Sequence, residues 1–372
     1  MKPNTSEKPI AIDLFAGCGG LSRGLHLAGF KVRAAVEIDD TARATYKANF
    51  TGTKLFKDVL EVTPDDLQAA CGGKPLALLA GCAPCQGFCS LTAKNKKEDP
   101  RNELLLRMAE IIKELKPEAV MMENVPGLVK RGAVIFEKFI STLEKLGYPA
   151  RKAWRVVQMA DYGVPQSRRR LVMLVGKGFE IPFPEPTHAK RPEPGSSLPP
   201  WRSLRDALGK RPLPLTLKEA QADGGPRKHG WHVVRNLQPQ VAARLAAAIP
   251  GKTWLAVDEA IRPKCHRGDY DGFTNVYQRM SWDQTPVTMT GGCTTPCKGR
   301  FGHPDPKRTT ISVKEAAIIQ TFPENFEFAT DRMEAVCDMI GNAVPPEFAR
   351  IAAERIIEAL RARSRHGKVA RR

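Results

Sequence analysis

A cysteine and a glutamate, each just past an apolar run, are the residues of this chain whose types and positions best suit chemistry. Residues 79–90 read Leu-Ala-Gly-Cys-Ala-Pro-Cys-Gln-Gly-Phe-Cys-Ser, so that Pro84-Cys85-Gln86 follows the run Pro75–Ala80. A second run, Glu118–Met122, leads into Glu123-Asn124-Val125. Both runs have the length and apolar continuity of buried strands. A thiol and a carboxyl at the ends of two such strands can share one pocket. The thiolate is a strong nucleophile and a good leaving group. The carboxyl steadies charge that builds on whatever the sulfur attacks. Addition to a pyrimidine ring fits this pair: sulfur joining C6 of a cytosine turns C5 into an enamine carbon that accepts a methyl group, while Glu123 meets the charge at N3. A lone cysteine is more often a buried, inert thiol. Cys82 and Cys85, with Cys293 and Cys297, also spell a four-thiolate metal site. Neither pair has the short hairpin surroundings of a zinc knuckle, so no metal is expected.

The elements that must hold these residues follow from periodicity. Ile10–Leu14 predicts a strand, Phe15–Gly20 a glycine-rich turn, and Leu21–Ala28 a helix stopped by Gly29. Lys31–Val36 alternates like a strand ending at Glu37; Thr41–Phe50 is helical; another strand-to-loop junction ends near Asp58. Asn102–Leu115 predicts an amphipathic helix stopped by Pro117, and Val134–Leu146 a further one. Trp154–Met159 and Leu171–Val175 read as later strands. Strand–helix alternation over residues 10–176 predicts an α/β fold with a doubly wound, mostly parallel sheet. Ligands of such sheets sit beyond the carboxyl ends of the strands. Asp13-Leu14-Phe15, Glu37, Asp58, Cys85 and Glu123 all fall at predicted strand ends, on one rim.

Composition changes after Gly178. Residues 181–226 are rich in proline, and residues 227–307 hold short segments with one helix at about Pro239–Ala248. This predicts a second, smaller, irregular and mainly β region. Helical patterning returns at Val313–Gln320 and Pro346–Ala362. The expected divisions are a first domain over 8–180, a second over 181–334, a segment over 335–363 returning to the first, and a basic tail over 364–372.

Hydrophobic residues make up 42% of the 372, enough for a packed core. Lys plus Arg is 58 against 40 Asp plus Glu, a net charge of +18, which points to a polyanionic partner. No run of 18 apolar residues spans a membrane, and Met1–Pro9 lacks an apolar signal core, so a cytoplasmic protein with reduced thiols is expected.

The turn Phe15-Ala16-Gly17-Cys18-Gly19-Gly20 lets backbone approach a ligand closely. It is not the dinucleotide fingerprint, because the third glycine position is Ser22. Glu37, about 20 residues further on, is placed to bind a ribose diol. Asp58 is placed to accept from an adenine amino group. Together these suit an adenosine ligand without phosphates, and S-adenosylmethionine is the obvious methyl donor. Further along, Gln166-Ser167-Arg168-Arg169-Arg170 precedes a strand, and Arg168 and Arg170 alternate to one side. One would hold the cytosine O2 and the other a phosphate or Glu123.

With these residues placed, the chain resembles the cytosine-C5 DNA methyltransferases of the bacterial modification type. The resemblance covers roughly residues 9–178 and 270–355. It rests on Asp13-Leu14-Phe15-Ala16-Gly17-x-Gly19-Gly20, Pro84-Cys85-Gln86, Glu123-Asn124-Val125, Gln166-x-Arg168-x-Arg170 and Gly341-Asn342-Ala343-Val344-Pro345. It implies the class I, Rossmann-like methyltransferase fold with a target-recognition domain. By resemblance Cys85 is the nucleophile, Glu123 its N3 partner, and Arg168 and Arg170 the supporting arginines. Phe15, Gly17, Gly19, Gly20, Glu37, Asp58, Pro84, Asn342 and Val344 would line the S-adenosylmethionine pocket, and the C-terminal helix would return to the first domain. The target cytosine is flipped out of double-stranded DNA, since C6 is unreachable in a stack. Ser90–Arg101, with Lys94, Lys96 and Lys97, resembles a loop closing over that base, and Gln86, Ser90, Arg101 and Gln166 would contact DNA. Arg279 and Arg300 are the expected groove contacts, because arginine reads guanine edges well.

The resemblance further implies a restriction–modification or orphan modification enzyme, a monomer on DNA, with a cognate restriction endonuclease as a companion. In one departure, the arginine usual before Glu315 would fall at Thr309, and Arg308 stands one place early. A transfer-RNA cytosine methyltransferase on the same scaffold is the main rival; its Cys-Phe-Thr signature is met only by Gly272-Phe273-Thr274. A catalytically dead DNA-binding regulator would lack the nucleophile or the carboxylate, and a nicotinamide oxidoreductase is opposed by Ser22.

Overall fold

The computed structural model describes residues 7–84, 103–269 and 274–369. They form two compact units. The first comprises residues up to Tyr162, Arg169–Pro186 and the chain from Val344 onward; the second comprises Gly163–Arg168 and Thr187–Ala343. The units thus part at 186/187 and 343/344, where the sequence suggested 180/181 and 334/335.

The first unit alternates strand and helix as its periodicity demands. Strand β1 (Ile10–Leu14) is buried at every position, as a central parallel strand covered on both faces must be. Helix α1 (Gly20–Ala28) lies between left-handed glycines, Gly19 at its start and Gly29 at its end. Strand β2 (Lys31–Val36) follows, then α2 (Asp40–Asn49), whose cap Asp39 accepts from the Ala42 N–H. Strand β3 (Lys54–Phe56) precedes α3 (Pro64–Ala70). Next come β4 (Leu76–Gly81), α4 (Leu104–Leu115), β5 (Ala119–Asn124), α5 (Ala133–Lys145), β6 (Trp154–Gln158), β7 (Arg169–Gly176) and the short β8 (Phe179–Glu180). The sheet order is β3-β2-β1-β4-β5-β7-β6, with β8 on β7. Strands β1 to β5 pair in parallel, and β7 runs antiparallel to both β5 and β6. The carboxyl ends of β1 to β5 therefore share one edge. Ile12, Leu14, Leu79, Met108, Ile112, Phe139 and Leu143 are among the buried residues that fuse the sheet to its helices.

The second unit carries α6 (Leu204–Leu208), β9 (Leu215–Thr216), α7 (Leu217–Ala222), β10 (Val233–Val234), α8 (Pro239–Ala247), α9 (Val313–Ile319) and α10 (Met333–Asn342). Its irregular character is as expected, but a mainly β description is too strong. Regular pairing among the described residues is limited to two-residue β9 and β10, with a few isolated bridges such as Arg279 with Gly302. Buried polar braces do the work that strands would do. Arg308 Nη2 meets Glu315 Oε1 at 2.6 Å, both side chains almost fully buried, so the arginine one place early reaches its acid. Glu315 also accepts from the Ser312 N–H at the start of α9.

Helix α11 (Pro346–Val369) closes the first unit against α1. It continues through most of the segment expected to be a basic tail. The helices meet at Gly24, where a Cβ would lie 2.3 Å from Ala349 Cβ and 2.6 Å from Arg350 N and Pro346 O. Only glycine permits that approach. Among the described residues no helix is long and apolar enough to cross a membrane.

Candidate active site

The functional rim of the first unit is assembled from strand ends. Phe15, one residue past β1, adopts a left-handed backbone with φ 60°, an uncommon conformation for a side chain of this size. Its turn is tied to the neighbouring strand by the Ala16 N–H to Val36 O bond of 2.9 Å. Gly17 is also left-handed, and open space lies where its Cβ would be. Its N–H donates to Glu37 Oε2 at 2.7 Å, and the Asp39 N–H donates to Glu37 Oε1 at 2.8 Å. The glycine turn and the acid expected to hold a ribose are thus one hydrogen-bonded unit. Burial pushes the Glu37 carboxyl up from its ordinary range, and these two N–H donors oppose the rise. Gly19 packs against Phe50, whose ring a Cβ would strike at 2.2 Å. Gly20 opens α1. Asp58, two residues past β3, is half-buried and accepts from the Leu60 N–H at 2.8 Å.

Sequence reasoning missed two exposed apolar residues here. Ile38, 63% exposed, follows Glu37, and Leu60, 62% exposed, lies two residues past Asp58. Large aliphatic side chains left open beside acids are what a flat aromatic ligand needs on its faces. The signal was present in the sequence as apolar residues immediately beyond strand ends.

At the other end of the rim, Arg170 Nε lies 3.0 Å from Glu123 Oε1, both side chains largely buried. Glu123 is on β5 and Arg170 on β7, so the antiparallel insertion of β7 beside β5 creates the pair. The neighbouring Asn124 was not singled out from sequence. Its Nδ2 donates to Ala83 O at 3.1 Å and its Oδ1 accepts from the Val125 N–H at 2.7 Å. One buried amide therefore pins the exit of β4, which leads to half-buried Pro84, against the exit of β5. The parallel register pairs Gly81 with Met122, which puts Cys82 opposite Glu123. Burial first, then the charge of Glu123, pushes the Cys82 thiol well above its ordinary range. Burial likewise pushes Cys18 up to about 12. Cys85, Gln86, Ser90, Arg101 and the loop Ser90–Arg101 lie outside the described residues.

Several expected site residues serve the second unit instead of an open surface. Arg168 does not alternate with Arg170 along a strand, because β7 begins at Arg169. Its guanidinium, 1% exposed, donates to the carbonyls of Met289 (2.9 Å), Gly341 (2.9 Å) and Ala343 (3.2 Å). Gln166 is fully buried, accepts from the Met289 N–H at 2.8 Å and bonds Gln320. Arg279 is also buried, 4% exposed, and donates to the carbonyls of Leu245, His303, Asp305 and Arg308. Such a group braces a loop cluster and cannot reach a groove edge as it stands. Arg300 is exposed. Asn342 ends α10 in the second unit, and Val344 opens the first unit's closing segment, 3% exposed.

Comparison with known proteins gives matches over most of the chain. The family model described as C-5 cytosine-specific DNA methylase matches residues 10–358. The chain is 36% identical to the Type II methylase M.HgiDII of Herpetosiphon aurantiacus, covering 95% of this chain and 97% of that protein. It is 33% identical to the Type II methyltransferase M.XorII of Xanthomonas oryzae pv. oryzae, covering 95% and 86%. A solved structure of a DNA modification methyltransferase encoded within an E. coli prophage superposes with a TM-score of 0.71 at 23% identity, covering 95% of this chain and 99% of that one.

Proposed function

The chain belongs to the C-5 cytosine-specific DNA methylase family, and on that premise we propose that it methylates C5 of a cytosine flipped out of duplex DNA, with S-adenosylmethionine as donor and Cys85 as nucleophile. The observation that carries this reading is the Glu123–Arg170 pair beside the pinned exit of β4. Cys85 follows Pro84 in the sequence, so the strand exit pinned beside β5 is the one that leads to the proposed nucleophile.

The residues divide the reaction as follows. Cys85 sulfur forms a bond to C6, and the displaced ring electrons become available at C5. Glu123 binds at N3, where the charge develops, and Arg170 holds that carboxyl in place. The donor supplies an electrophilic methyl group. Once C5 carries the methyl, loss of its proton to a base, with water the simplest candidate, lets the electrons return and expel the Cys85 thiolate. Burial against Glu123 keeps Cys82 protonated, so the two cysteines three positions apart have different tasks.

The donor pocket fits an adenosine ligand. Glu37 takes the ribose diol, Asp58 the adenine amino group, and Ile38 and Leu60 the faces of the base, with Phe15 and Gly17 at the turn. Val344, in the first unit's closing segment, is a further lining residue by family resemblance. Flipping brings the target base out of the stack. Arg300 and the basic loop Ser90–Arg101 meet the DNA, and the net charge of +18 favours it. The enzyme acts as a monomer on DNA and as the modification half of a restriction–modification pair.

The test is covalent capture. Duplex DNA carrying 5-fluorocytosine at the target, incubated with enzyme and donor, should yield an adduct whose peptide map places the DNA on Cys85. Bisulfite sequencing of DNA from expressing cells supplies the target. Capture on another residue, or full turnover by Cys85→Ser, would overturn the mechanism.

A further inference from the structure

Three sulfurs meet inside the second unit. Met333 and Cys337 stand one turn apart on α10 and so share a face. Thr294 Oγ1 lies 3.5 Å from Cys337 Sγ and 3.8 Å from Met333 Sδ. Cys293, the neighbour of Thr294, places its thiol in hydrogen-bond contact with Cys337. Both cysteines are fully buried, and neither is in a disulfide. The reaction proposed above uses none of these groups.

The backbone holds this contact in place. The Cys293 N–H donates to Thr290 O at 3.0 Å and closes a turn. That turn lies directly on α10. A Cβ on Gly341 would overlap the main chain of Thr290 and Gly291, and one on Gly291 would strike the Asp338 side chain. Arg168 ties the same two pieces together a second time, through Met289 O and Gly341 O. Two thiols fixed on touching backbones need little movement to react with one another.

The surroundings make the two thiols unequal. Cys293 donates to the Cys337 sulfur and is held well above its ordinary range by that bond and by burial. The same bond holds Cys337 below its ordinary range, against burial and with help from Thr294 and the Arg235 charge. Arg235 Nε donates to Thr294 Oγ1 at 3.1 Å, and the arginine side chain is 23% exposed. Cys337 thus carries the more thiolate character, two hydrogen-bond steps from solvent.

We propose that Cys293 and Cys337 are an oxidisable pair that a hydroperoxide converts to a disulfide, locking the Thr290–Cys293 turn onto α10 and making the stability of the second unit depend on redox state. The Cys337 thiolate attacks the peroxide, the O–O bond breaks, and a sulfenic acid forms with release of water. The Cys293 sulfur then displaces the sulfenic oxygen as a second water. Two thiols are oxidised, and one peroxide is reduced. A small dithiol reverses the step by exchange. The new bond closes a loop of roughly 45 residues, which constrains the unfolded chain and lowers the unfolding equilibrium constant by on the order of several hundredfold. The inference is independent of the donor and DNA readings, since every residue in it belongs to the second unit.

The test uses the full-length protein, treated with hydrogen peroxide, then unfolded, alkylated and digested. The expected map contains one peptide pair joined through Cys293 and Cys337, lighter than the reduced pair by two hydrogens. The urea midpoint of the second unit, followed by tryptophan fluorescence, should rise on oxidation and return when dithiothreitol is added. In Cys337→Ser that reversible rise should vanish. Thiols still alkylated at Cys293 and Cys337 after the exposed Cys265 and Cys297 have reacted would overturn the proposal. So would a disulfide joining either one to a different cysteine, or a joined pair with an unmoved midpoint. The unaltered protein decides the matter by its peptide map and midpoint if the variant fails to fold.

Discussion

Replacing Arg168 separates bracing from chemistry at two arginines that the sequence set side by side. The Arg168 guanidinium donates three hydrogen bonds of 2.9, 2.9 and 3.2 Å to main-chain carbonyls, in surroundings that leave it 1% exposed. A hydrogen bond to a charged group contributes ~1.5–3 kcal/mol, and orphaned buried carbonyls cost a similar amount each. Because the three share one donor group they do not add fully. Arg168→Ala should therefore destabilise the second unit by about 3–5 kcal/mol, a large fraction of the ~5–15 kcal/mol typical of a folded protein. Arg168→Lys keeps the charge, but a single ammonium cannot span three carbonyls, and about 2–3 kcal/mol should still be lost. Four of the five tryptophans (Trp201, Trp231, Trp254 and Trp282) belong to the second unit. Urea unfolding followed by tryptophan fluorescence therefore reports this unit directly. Arg170→Lys should leave that transition in place and reduce turnover instead, because Arg170 faces Glu123. The reasoning fails if Arg168→Ala unfolds within about 0.5 kcal/mol of the unaltered protein while losing activity, for Arg168 would then act on substrate.

Three further outcomes follow from particular contacts. Gly24→Ala forces α1 away from α11, since its Cβ would overlap backbone atoms of Pro346 and Arg350. Overpacking should outweigh the gain in helix propensity and lower stability by about 2 kcal/mol in thermal unfolding, whereas Leu27→Ala, at an exposed position on the same helix, should change it little. Burial, with Arg308 beside it, holds His303 down at about 4. The unfolded chain then binds the extra proton first, so stability is full above about pH 6.5 and declines as pH falls towards 4, by about 3 kcal/mol; the slope should shrink in His303→Gln, and an unchanged slope would refute the assignment. Glu37→Ala removes the acceptor of two backbone N–H groups and the proposed ribose ligand. S-adenosylmethionine affinity measured by calorimetry should drop at least ~10-fold, and an unaltered affinity would exclude Glu37 from the pocket.

Much of the first unit was legible because its strands are buried on both faces and its helices carry strong apolar stripes. The ends of β1, β2 and β5 fall within two residues of their expected places, and Phe15, Glu37 and Glu123 sit on the expected rim. Helix α3 escaped notice because its pattern is short and polar. Its mark was Thr63-Pro64 with Asp66, the capping box observed there. The arginines show where reading stops. Arg168, Arg170, Arg279 and Arg308 are chemically equivalent in a string, and only tertiary contacts assign one to a carboxylate at the rim and the others to buried carbonyls or Glu315. The same holds for Gln166 and Asn124, whose amides bond residues far away in sequence. The second unit resisted because short proline- and glycine-punctuated segments have no period to read.

The packing of α1 on α11 also governs how the molecule comes into being. Gly24 and Ala349 touch, yet they stand roughly 325 positions apart, and at ~5–20 residues per second a ribosome needs on the order of half a minute to travel between them. Throughout that interval α1 lacks the helix that packs against it. A message cut short before residue 346 would leave an apolar groove open to water and to chaperones. The first unit therefore closes only after the segment beyond residue 346 has been made and has reached α1.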